Sequence, residues 1–215
     1  MSEFNWAELL DFGEYLKLLA GMLAMTDPLG NIPIFLTLTA GMTLHQKSTV
    51  VWTASLTFLI AGLVFVAWGD GILALFSISI ESFQVAGGLL LLLDGIAMMR
   101  NDLPDENSAK PQGKSAFAVG LAPLAIPLLA GPGAMSTLVI YANVHPGPAH
   151  LVLLAVTVLA TAITIFVAFR LAILFGPLLG VSGQLVVHRV MGLIVLAIGA
   201  EFIMEGAVAF VSARL

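Results

Sequence analysis

An all-α, polytopic membrane protein is what this sequence predicts: six transmembrane helices arranged as two inverted three-helix repeats, with the first and fourth helices broken. Three observations lead there. Of the 215 residues, 60% are hydrophobic and only 10% charged, with a mean hydropathy of +1.06. Soluble domains run at about 45–50% and about 25%, so a surface this poor in charge needs lipid as its solvent. Six stretches are long and apolar enough to cross a bilayer, and proline and glycine interrupt the first and fourth of them at corresponding places.

The segment before the first span carries Glu3, Glu8, Asp11 and Glu14 ahead of its first base, Lys17. A cleavable signal begins with basic residues, so this is read as mature sequence. Phe4, Trp6, Leu9, Leu10 and Phe12 alternate with those acids, a pattern expected of a short interfacial helix. The spans are expected at residues 16–39, 48–69, 83–99, 116–141, 151–169 and 188–210, each near the roughly 20 residues a bilayer requires. Only one connection is strongly polar, the loop that starts at Arg100 and ends at Lys114. It divides a single transmembrane domain, residues 1–215, into a first repeat (1–100), a cytoplasmic loop (101–115) and a second repeat (116–215).

Orientation follows from the bases. Lys47, Arg100, Lys110, Lys114, Arg170 and Arg189 fall on one side of the membrane, against Lys17 and Arg214 on the other. The richer side belongs in the cytoplasm, which puts both termini in the periplasm and, with three spans per half, inverts one half relative to the other. Internal similarity supports the duplication. Pro28 and Pro33 recur with the same spacing as Pro127 and Pro132, and Val85-Ala86-Gly87-Gly88 is answered by Val190-Met191-Gly192-Leu193.

Several chemistries are excluded as expectations. The net charge of −5, without any basic run, argues against nucleic acid. There is no cysteine, and the four histidines never fall at ligand spacing, so neither metal nor cofactor is expected. Gly180-Val181-Ser182-Gly183 with His188 has the form used by intramembrane serine proteases, but here the serine lies in the connection between the fifth and sixth spans. An enzyme is not expected.

The breaks carry the functional reading. In lipid every backbone N–H and C=O needs an internal partner, so an unwound helix is tolerated only where protein or a wet cavity satisfies it. The first break runs Thr26-Asp27-Pro28-Leu29-Gly30-Asn31-Ile32-Pro33; the second holds Pro127, Gly131, Pro132 and Gly133, followed by Ser136 and Thr137. Asp27-Pro28 reads as an N-cap with proline at the first helical position, Asn31 as a second cap, and Gly131-Pro132 as the equivalent in the fourth span. A helix restarting at mid-membrane turns the positive end of its dipole toward an anionic group, and matching breaks in inverted halves point to a solute site. Thr26, Asp27, Pro28, Gly30, Asn31, Pro33, Pro127, Gly131, Pro132, Gly133, Ser136 and Thr137 are the candidate substrate-binding residues. Proline and glycine also merely kink spanning helices, and Gly87, Gly88 and Gly192 are read as helix-packing positions.

Asp27, Asp94 and Glu201 lie at membrane depth, where an ionisable group costs about 2.5–3.5 kcal/mol on insertion scales. All three are candidates for proton coupling. The competing readings are a cap for Asp27, an acid bonded to a neighbouring backbone for Asp94 and a polar link between helices for Glu201. Glu205 and Asp70 are placed nearer the interface, in water.

Asp27-Pro28-Leu29-Gly30-Asn31-Ile32-Pro33-Ile34-Phe35, Pro123-Leu124-Ala125-Ile126-Pro127 leading to Ala130-Gly131-Pro132-Gly133-Ala134, and Arg189-Val190-Met191-Gly192-Leu193 with Glu201-Phe202-Ile203 resemble the MarC family of bacterial and archaeal inner-membrane proteins. The likeness spans nearly the whole chain. It implies residence in the bacterial inner membrane and transport of small neutral amino acids such as glycine and alanine, coupled to an ion gradient, here taken as protons. Two positions depart from the family pattern: Ser77 stands where glycine is expected and Gln84 where arginine is expected. The alternative function is a passive channel or a non-transporting helper in membrane assembly. A homo-oligomer is compatible with either.

Overall fold

The computed structural model describes residues 12–100, 115–144 and 147–212. Every regular element among the described residues is a helix. The interfacial helix expected before Phe12 and the polar central loop lie outside the described residues.

The first expected span is two helices, α1 (Phe12–Thr26) and α2 (Ile32–Leu38), separated by a turn. Helix α3 (Leu44–Leu75) opens on a reciprocal cap: Thr43 Oγ1 accepts from the Gln46 N–H at 3.3 Å, and Gln46 Oε1 accepts from the Thr43 N–H at 2.9 Å. It closes with the Ile78 N–H on the Leu73 carbonyl and the Ser77 N–H on the Ala74 carbonyl, both at 3.0 Å. That closure needs a left-handed residue, and Ser77 supplies it at φ 56°. The glycine expected at this position is thereby explained: it would adopt the same backbone without a Cβ clash.

Helix α4 (Ile80–Arg100) follows, and after the central loop α5 (Ala116–Val119), capped by Ser115 Oγ accepting from the Ala118 N–H at 3.2 Å. Helix α5 runs into a wide-turned stretch, Gly120–Leu129, interrupted at Ala122 (φ −144°, ψ 127°) and Ile126 (φ −124°, ψ 121°). Each interruption is the residue before a proline, which is pushed out of the helical region by the following ring. Helix α6 (Pro132–Val144) then starts afresh. The helical run Pro148–Ser212 holds two apolar segments of membrane length, α7 (Pro148–Phe175) and α8 (Arg189–Ser212).

Among the described residues four helices, α3, α4, α7 and α8, are long and apolar enough to cross a membrane, and they overrun the expected spans by a few residues at most ends. Their outward faces carry large apolar side chains such as Trp52, Leu89, Val156 and Leu193, as lipid requires. The two remaining expected spans are the interrupted ones.

One packing region gathers α1, α2, α3, α6 and α7 around fully buried Phe35, Phe58, Leu138 and Phe169. The Phe35 and Phe169 rings stack at 4.8 Å, fastening the short helix α2 to α7. A second region is the antiparallel pair α4–α8, which touches through glycines. A Cβ on Gly88 would lie 2.7 Å from the Gly199 carbonyl oxygen, and one on Gly95 2.8 Å from the Gly192 oxygen. The shift that carries Gly88 onto Gly192 also carries Gly95 onto Gly199, so the two contacts exchange. That register differs by one residue from the alignment of Gly87 with Gly192. Gly87 faces α6 instead, where a Cβ would meet Ser136 Oγ at 3.0 Å and the Gly133 backbone at 3.2 Å. Tyr15 bonds His150 and Gln84 bonds Glu205, so the start of α1 meets the start of α7 and the end of α8 meets the start of α4.

Candidate functional site

The first break is a compact turn that satisfies itself almost completely. The Asn31 N–H donates to the Asp27 carbonyl at 3.1 Å, the Gly30 N–H donates to Asp27 Oδ1 at 2.9 Å, and Asn31 Nδ2 donates to the Thr26 carbonyl at 3.0 Å. The Thr26 hydroxyl donates to the Met22 carbonyl at 2.8 Å. Thr26, Asp27 and Asn31 are 0%, 3% and 6% exposed, while Leu29 of the same turn is 54% exposed, so the polar residues of the turn are enclosed by protein and its apolar tip is not.

This arrangement differs from the expected one. No helix restarts at Pro28. Helix α2 begins at Ile32, Asn31 is its N-cap residue without a side-chain capping bond, and Pro33 sits in its first turn. The Asp27 carboxylate closes the turn on Gly30 rather than capping a helix. The Gly30 and Asn31 N–H groups, which a helix restarting there would have left open to an anionic group, are already engaged by Asp27.

Asp27 is the residue the turn leaves incomplete. Its Oδ2 is buried and has no hydrogen-bond partner among the described residues, and its backbone is left-handed at φ 38°, a conformation that aspartate tolerates better than most side chains. Gly30 is required beside it because any Cβ there would overlap the Asp27 carboxyl group. A buried carboxylate oxygen without a donor is costly unless a proton or a cationic group takes the position.

At the second break α6 starts as expected, with Pro132 at its first position and the Gly131 carbonyl accepting from the Met135 N–H at 3.1 Å. Gly133 is buried against Leu91 of α4. Ser136 Oγ donates to the Phe83 carbonyl at 3.2 Å, and Thr137 Oγ1 lies 3.0 Å from both the Gly133 carbonyl and Met25 Sδ. The Met25–Thr137 contact links the breaks: Met25 is two residues before Asp27, and Thr137 is one turn beyond Gly133. The side chains of Pro127 and Pro132 lie outside the described residues.

The other two candidate proton carriers are not brought to this place. Asp94 and Glu201 are exposed on the outward faces of α4 and α8. A cleft of about 170 Å³ does lie beside the breaks, bounded by Lys17 and Met25 of α1, Gln84 of α4, Thr137 and Tyr141 of α6, and Glu205 of α8. Of these, sequence reading singles out only Thr137 for the site; Glu205, which it places nearer the interface, is exposed on α8 and also borders the cleft. Gln84, which stands where the resemblance leads one to expect arginine, donates through Nε2 to Glu205 Oε2 at 3.2 Å. An intramembrane-depth polar residue in Phe83-Gln84-Val85 was the one signal that could have marked the cleft.

The family model described as MarC family integral membrane protein matches residues 12–211. The chain is 36% identical over 200 residues to the UPF0056 membrane protein YhcE of Escherichia coli K12, covering 91% of this chain and 93% of that one. It is 33% identical over 186 residues to the UPF0056 inner membrane protein YhgN of the same organism, covering 86% and 91%. A UPF0056 membrane protein of Pyrococcus abyssi is 30% identical over 189 residues, covering 88% and 92%. No solved structure gives a significant match. With four apolar helices of membrane length and a family match over nearly its whole length, the chain belongs to the MarC family of multi-pass integral membrane proteins.

Proposed function

We propose that the protein is a secondary active transporter of small neutral amino acids, driven by an ion gradient carried by protons and working by alternating access in the inner membrane. The observation that carries this reading is the buried, unpartnered Oδ2 of Asp27 in a break of one span, linked through Met25 and Thr137 to the break of another. Oδ1 of this carboxyl closes the turn, but the second oxygen is left unmatched, and the bond it lacks is one a ligand or a proton can make. The solute's ammonium, or the coupling proton, is assigned to Asp27 Oδ2. Its carboxylate is assigned to the start of α6 near Gly131 and Gly133, since the N–H groups of the first break are occupied. In this reading the chain makes six crossings as two inverted three-helix halves with both termini periplasmic. The exchanging glycine contacts of α4 and α8 support that arrangement.

Asp27→Asn tests it. Asparagine accepts the Gly30 N–H and tolerates the left-handed backbone, so the fold is retained while the negative charge and its protonation are lost. In proteoliposomes with an imposed proton gradient, the wild type accumulates alanine uphill and Asp27→Asn does not. Wild-type uptake by a folded Asp27→Asn protein sinks the role of Asp27, and alanine that only equilibrates in the wild type identifies a channel.

A further inference from the structure

The cleft beside the breaks is bounded by charges of both signs. Lys17 comes from the first turns of α1 and Glu205 from the last turns of α8, so residues far apart in sequence reach one cavity of about 170 Å³. Glu205 is held in place: Gln84, only 8% exposed, donates to its Oε2 from α4, which leaves Oε1 for another donor. Met25 and Thr137 both line the cleft and touch each other at 3.0 Å, and Met25 is two residues before Asp27. At about 30 Å³ per water, the space takes about half a dozen non-hydrogen atoms.

From this geometry we propose that the cleft is an outer binding subsite for a small dipolar ion. The Lys17 ammonium receives the solute's carboxylate, the Glu205 carboxylate receives its ammonium, and Gln84 acts as the positioning residue for Glu205. A solute with both charges satisfies both walls. One with a single charge leaves the opposite wall unmatched and gives up a charge-assisted hydrogen bond. In this proposal the Met25–Thr137 contact opens for transfer inward, toward the buried carboxylate of Asp27. The inference deepens the transport reading and rests on it for the fate of the bound solute, but binding at the cleft is measurable without transport.

The full-length protein in detergent is titrated calorimetrically with L-alanine, propionate and ethylamine. Alanine is expected to bind at least tenfold more tightly than either single-charge analogue, and Lys17→Gln and Glu205→Gln to weaken alanine at least tenfold. Gln84→Ala is expected to weaken alanine less than Glu205→Gln does. In the wild type, alanine should also protect Lys17 from amine acylation read by mass spectrometry, a measurement that needs no variant to fold. Asp27→Asn separates this inference from the transport reading through a readout local to the cleft: alanine should still protect Lys17 of that variant from acylation, since Asp27 does not line the cleft, while uptake is lost. Propionate or ethylamine binding as tightly as alanine, a Glu205→Gln protein that binds alanine normally, or acylation of Lys17 unaffected by alanine overturns the subsite. Normal uptake by Asp27→Asn overturns the role of Asp27 in transport and leaves the cleft to stand on its own binding result.

Discussion

Gly88→Ala and Gly95→Ala test how α4 and α8 are held together. Lipid is as apolar as the helix surfaces, so burial of apolar area gives little drive, and close packing has to supply the association. An added Cβ at Gly88 would lie 2.7 Å from the Gly199 carbonyl oxygen and 2.8 Å from Phe202 Cβ; at Gly95 it would lie 2.8 Å from the Gly192 oxygen and from the Leu196 nitrogen. Most of these are backbone atoms, which no rotamer change can move. Restoring an ordinary contact of 3.4 Å requires the helices to part by about 0.7 Å. A gap of that size forfeits about a quarter to a half of each dispersion contact along the seam, and overpacked sites lose about 1–3 kcal/mol. Each substitution is therefore expected to destabilise by about 1–3 kcal/mol in denaturant unfolding in micelles. The double variant Gly88→Ala/Gly199→Ala should lose less than the sum of its singles, because one separation relieves both clashes. Gly21 and Gly71 have nothing within 4 Å of a built Cβ, so alanine there is expected to gain about 0.5–1 kcal/mol from helix propensity alone. If Gly88→Ala and Gly95→Ala unfold alongside Gly71→Ala, the glycine seam does not hold the pair.

Ser77→Gly removes the Cβ from a residue at φ 56° at the end of α3 and should raise stability by about 1 kcal/mol, read as a shift of the unfolding midpoint at unchanged slope. Gly30→Ala puts a methyl where the Asp27 carboxyl lies, so proton-driven alanine uptake is expected to fall to background in protein that still inserts; uptake at the wild-type rate would show that the carboxyl can move without consequence. His150→Phe removes the 2.7 Å part-buried bonds to the Tyr15 hydroxyl and to the Tyr141 carbonyl, at about 0.5–1.5 kcal/mol each, and should loosen α1 from α7 in hydrogen exchange.

How much of the site was legible depends on the range of the interaction. Pro28, Pro127 and Pro132 act on their own and preceding residues, so the existence and position of both breaks follow from local chemistry. The internal wiring of the first break was less legible. Asp27-Pro28 suits an N-cap and equally suits a turn closed on Gly30, and the choice falls to the turn because Asn31 also reaches back to the Thr26 carbonyl. Gly88 and Gly192 were readable as packing positions, but Gly95 and Gly199 were not, nor was the pairing of Gly88 with Gly199 and of Gly95 with Gly192, since the α4–α8 register is a property of two surfaces.

Taken alone, the amino-acid order determines that the chain lives in lipid, where it can cross, and where crossing helices must unwind, because hydropathy, proline and glycine act through the backbone within a few residues. Which acids are covered is another matter: Asp27 is enclosed, whereas Asp94, Glu201 and Glu205 are exposed, and Glu205 meets Gln84 from another helix. That was decided only by the rotation and register with which the helices pack, since an apolar helix with almost no amphipathic bias carries no local signal for which of its faces will be covered.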